Sequence, residues 1–156
     1  VVGMGEGAMM RTLLTFRSRA FNTTEDREHF INPGNYGEDL ARWIVDRLAQ
    51  RGIRAGPEIG QEDHGWYFRY WVGDRPYTLV VGYRPGDGES EGDWVGWVER
   101  DVGFIASLLG RRTKGIEGDA VRVLHDALSD APEVVDLRWH EPRAFRAGEE
   151  EGSPTP

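Results

Sequence analysis

Residues 61–72 crowd five aromatics into the six positions from Trp66 to Trp71, and a second apolar run, residues 77–83, follows at once. Successive side chains of a strand point to opposite faces. A run this dense therefore puts aromatics on both faces of a sheet, although one apolar face is enough to build a core. Gly73-Asp74-Arg75-Pro76 between the runs has the length and chemistry of a hairpin loop. Alternation sorts the residues into two sets. Trp66, Phe68, Tyr70, Tyr77, Leu79, Val81 and Tyr83 form a continuous apolar set, expected to be core. Tyr67, Arg69, Trp71, Thr78, Val80, Val95, Trp97 and Glu99 mix aromatics with charge, as contact surfaces do.

The rest of the chain supplies what such a sheet packs against. Leu40, Trp43, Ile44 and Leu48 recur at helical spacing, with Asn35 as expected N-cap, Glu38 three residues on, and Gly52 as the closing residue. A second helix is expected over residues 117–129, with Ala120, Val121, Leu124, Ala127 and Leu128 buried and Pro132 beyond it. Further strands are read at residues 12–17, 53–59, 94–99 and 134–139. A short helix is read at residues 104–109, and a basic loop at residues 111–115. The expected fold is α+β, a two-layer sandwich of a mostly antiparallel sheet with two helices on one face, in the order β-α-β-β-β-β-α-β. Residues 1–10 read as a flexible leader, 11–141 as one domain, and 142–156 as a disordered acidic tail. A length of 156 residues with 38% hydrophobic content suits a single core.

Composition narrows function mainly by exclusion. A formal net charge of −8 sets the chain against phosphate backbones. The absence of cysteine removes disulfides, thiolate metal sites and cysteine nucleophiles. No run approaches the length of a membrane-spanning helix, and the expected compartment is the cytoplasm. The glycine-rich spots lack the strand-turn-helix context of a phosphate loop, so no cofactor is expected. The histidines at 29, 64, 125 and 140 show no paired metal-ligand spacing, so no metal is expected either.

Two functional readings remain. One is a non-enzymatic protein-interaction domain that uses Tyr67, Arg69, Trp71 and Trp97 on the mixed sheet face. Its partner is another protein or a second copy of the chain, a homodimer. The alternative is a ligand-binding or hydrolase-like protein. Glu62, Asp63 and His64 put two carboxylates and an imidazole together, and His140 could join them in a pocket able to move protons. The stretches at residues 32–43, Glu62-Asp63-His64-Gly65-Trp66 and Arg138-Trp139-His140 together resemble a pattern in small bacterial proteins of unknown function, a resemblance that implies no activity. In size, acidity and lack of a catalytic set the chain is also similar to immunity proteins that cap toxins.

Overall fold

The structure, a computed structural model, describes residues 10–88, 91–100, 115–148 and 151–156. Six strands form one sheet: β1 (Leu13–Arg17), β2 (Ala55–Glu62), β3 (Gly65–Val72), β4 (Arg75–Arg84), β5 (Asp93–Arg100) and β6 (Val135–His140). Their spatial order is β2-β3-β4-β5-β1-β6, and every neighbouring pair is antiparallel. The first strand thus lies between β5 and β6 and ties the β2–β5 meander to the C-terminal strand. Helices α1 (Glu38–Gln50) and α2 (Gly118–Ser129) complete the α+β fold. The helix read at residues 104–109 and most of the basic loop lie outside the described residues.

The alternation built the core as expected. Trp66, Phe68, Tyr70, Tyr77, Leu79 and Val81 are buried, packed with Leu40, Ile44 and Leu48 of α1 and Leu124 and Leu128 of α2. Tyr83 is half-buried against the same cluster. The Tyr70 hydroxyl donates to the Ala120 carbonyl at 2.7 Å, a bond from sheet to helix. Burial, with smaller contributions from Tyr77 and Asp119, pushes that phenol well above its ordinary value, so it stays a protonated donor. Between the helices, Arg47 Nε donates to the Ala127 carbonyl at 2.6 Å, and Asp130 accepts from both Arg47 and Arg51.

Two expectations are corrected. Asn35 does not cap α1: Gly37 holds the N-cap position, and α1 starts at Glu38 with no side-chain cap. Asn35 is buried instead. Its side-chain nitrogen donates to Gln61 Oε1 at 2.9 Å and to the Glu62 main-chain carbonyl at 3.1 Å, while the Asn35 main-chain carbonyl accepts from Trp66 Nε1 at 2.7 Å. A buried amide needs such partners, and the end of the β2–β3 hairpin supplies them. The chain beyond Pro142 is also not a featureless tail. Helix α3 (Pro142–Arg146) begins there, capped by Glu141, whose side chain accepts from the Ala144 N–H at 2.9 Å. Ser153 then pairs with Trp139 through two main-chain hydrogen bonds of 2.7 and 2.8 Å.

Candidate interaction surface

With both large helices on one side, the opposite face of the sheet is the outer face. One cross-strand row crosses all six strands: Gly60, Tyr67, Val80, Trp97, Leu13, His140. At about 4.8 Å per strand, Tyr67 and His140 stand about 19 Å apart. The two ends of this row differ.

At the β6 end, the C-terminal return covers the face. His140 is 4% exposed, and its Nε2 lies 2.8 Å from Thr15 Oγ1. The Phe145 ring of α3 meets the imidazole edge-on at 4.9 Å between centroids, and Arg84 lies over Phe145. Gly152 packs flat on the imidazole: a Cβ there would stand 2.5 Å from Cε1. Beside this cover lies a polar cleft of about 500 Å³ that includes Thr15, Arg84, Asp93, Asp136 and Arg138. Asp136 has φ +58°. That left-handed residue accommodates the register shift of β6 against β1. Arg84 and Arg138 already hold Asp93 and Asp136.

At the β2 end the face is partly exposed, with Val80 buried between Tyr67 and Trp97. Tyr67 is 38% exposed, and Arg69 is exposed beside it. Trp71 and Trp97 are half-buried. Arg54 stacks on Trp71 with its guanidinium carbon 3.9 Å from the ring centroid. The Tyr67 ring lies across Gly60, where a Cβ would stand 2.3 Å from its Cζ. The pairing of β2 with β3 is irregular between Ala55 and Ile59. A groove of about 550 Å³ opens there, lined among others by Arg54, Pro57, Ile59, Tyr67 and Trp71.

Comparisons with family models, curated proteins and solved structures find no match. The site is therefore read from geometry alone. Tyr67, Arg69, Trp71 and Trp97 share the outer face. Glu62, Asp63, His64 and His140 do not converge. Asp63 and His64 form the exposed turn between β2 and β3. His140 sits on the strand at the far edge of the sheet, five strand spacings or about 24 Å away. At the turn, the main-chain carbonyls of Glu62 and Asp63 hold Asn35 and Asn32. Among the described residues no group of three histidine or acidic side chains could hold a metal ion. No helix among them is long and apolar enough to cross a membrane. Sequence reasoning missed Arg54, Gly60 and the cover over His140. Arg54 shows no signal in the sequence, because its partner Trp71 lies on a different strand.

Proposed function

We propose that this chain is a non-enzymatic binding domain of adaptor or immunity type that contacts a protein through the open half of its outer sheet face. Tyr67, Arg69, Trp71 and Trp97 are the contact residues, the partner is another protein or a second copy of the chain, and the setting is the cytoplasm. One observation carries this reading. The chain folds its own C-terminal return over the β6 end of the outer face, while at the β2 end Tyr67 and Arg69 are exposed and Trp71 and Trp97 half-exposed, Tyr, Trp and Arg being the residue types that dominate binding energy at interfaces. The sheet edges also favour contact through the face. Pro57 and the irregular pairing blunt β2, while Ser153 and the bulge at Asp136 occupy part of β6. The test compares wild type with the double variant Tyr67→Ser, Trp71→Ala. Light scattering gives the mass of each in solution, and affinity capture from the native lysate gives the proteins each retains. Wild-type self-association or a retained protein, either one lost in the variant, supports the reading. Equal masses together with identical retained proteins would overturn it.

A further inference from the structure

Most of the arginines that bind the fold together hold a carboxylate of their own chain. Arg47 and Arg51 hold Asp130, Arg75 holds Glu117 and Asp119, Arg84 holds Asp93, and Arg138 holds Asp136. Arg54 differs. Its main-chain carbonyl accepts from the Trp71 N–H at 2.9 Å, and its guanidinium stacks on the Trp71 ring. Among the described residues no carboxylate pairs with it. Both contacts hold the guanidinium over the indole, and its N–H donors lie in the plane of the group. A guanidinium held this way presents a planar fork that fits a carboxylate through two parallel hydrogen bonds.

The groove beside it matches that chemistry. The chain as a whole carries 27 acidic against 19 basic residues, and in the groove lining Arg54, which no carboxylate among the described residues holds, stands with a single carboxylate, Glu58. Pro57, Ile59 and Tyr67 add apolar wall. We propose that this groove receives an extended segment of a partner protein carrying an Asp or Glu, whose carboxylate docks on Arg54 while a neighbouring apolar side chain lies against Pro57, Ile59 and Tyr67. The proposal rests on the binding role above and names the chemistry of the partner. The net charge of −8 does not prevent it. At about 0.15 M salt the Debye length is about 8 Å, so the charges within the groove decide the contact.

The probe is a phage-displayed library of random octapeptides, selected on the wild-type protein at physiological salt. Selected peptides are then measured by fluorescence anisotropy on wild type, Arg54→Gln, Arg54→Lys and Tyr67→Ser. Arg54 is exposed, so its variants keep the fold. The expected result is enrichment of peptides with Asp or Glu at one fixed position beside an apolar residue. Their affinity falls about tenfold or more on Arg54→Gln, and falls clearly on Arg54→Lys, which keeps the charge but loses the planar fork. Enriched peptides without an acidic residue that still need Tyr67 would overturn this proposal and leave the binding role standing. Peptides indifferent to both Arg54 and Tyr67, or no enrichment, would overturn this proposal, and the binding role is then decided by the mass and capture comparison above.

Discussion

The row that crosses the outer face ends at each side on an aromatic ring lying against a glycine, and the two ends behave differently. At β6 the ring is His140, held by Thr15 and Phe145, and the glycine is Gly152, which brings the C-terminal return down onto it. At β2 the ring is Tyr67, exposed at its rim, and the glycine is Gly60 within the neighbouring strand. Both glycines allow close approach of backbone to ring. Only at β6 does that approach exclude solvent, because a second layer of chain lies above the sheet. The buried imidazole keeps Nε2 on the Thr15 hydroxyl, whereas a tyrosine with its rim in water needs nothing above it. Close packing to a ring thus buries the ring at one end and leaves its rim exposed at the other.

The largest effect is expected at the β6 end. Gly152→Val places a Cβ inside the imidazole of His140 and forces a β-branched residue to φ +86°. His140 has no room to turn away, so the return must lift. The loss is limited to what the return contributes, about 2 kcal/mol. Urea denaturation reads that loss, and hydrogen exchange at the Trp139 amide, which donates to Ser153, reads the lifting. A midpoint unchanged from wild type would erase the distinction between the two ends. Thr15→Val follows in size. It keeps the shape of the side chain and removes the oxygen that faces His140 Nε2, at a cost of about 1–2 kcal/mol. The same denaturation series checks it.

How much of this contrast the sequence reveals depends on the range of the forces involved. The two faces of β3 and β4 follow from an alternation of period two: Trp66, Phe68, Tyr70, Tyr77, Leu79 and Val81 are buried as expected, while Tyr83 is only half-buried and Val80, read on the outer face, is buried as well. The role of Asn35 does not follow, because the groups that satisfy it, Gln61 and Glu62, lie on a hairpin 26 and 27 residues away. A local capping pattern competes with that distant one and loses. The C-terminal return is hidden for a related reason. Its Gly, Pro and Glu content reads as disorder, while its order rests on Trp139, His140 and Arg84, which belong to strands. The same holds at the candidate surface. Tyr67, Arg69 and Trp71 are visible as one face of one strand, but Arg54 reaches Trp71 only across the β2–β3 pair.

At the open end, substitutions should separate stability from binding. Trp71→Ala removes the platform under Arg54 and some half-buried apolar surface, and should cost about 0.5–1 kcal/mol of stability. If the open face is the contact surface, partner affinity should fall about tenfold or more, as it does when an aromatic hot spot is truncated. Light scattering or anisotropy reads the affinity, and thermal melting reads the stability. A stability loss as large as that of Gly152→Val would show that the open half carries the fold in the same way as the covered half.

Gly60→Ala is expected to change stability least. The new methyl would meet the Cζ and hydroxyl of Tyr67, atoms at the far end of a side chain that can rotate into solvent. The strand gains a residue with less freedom when unfolded, which offsets part of the cost of moving the ring. The net change should stay within about 0.5 kcal/mol of wild type. Binding should respond strongly nonetheless, because the displaced phenol leaves the wall of the groove that faces Ile59 and Pro57. Gly152→Val and Gly60→Ala therefore make a matched pair, each driving a carbon into a ring at one end of the same row. Melting temperature should respond to the first and affinity to the second. A Gly60→Ala protein that melts as wild type and binds as wild type would show that the position of Tyr67 matters to neither, and would remove the open groove from consideration as a contact site.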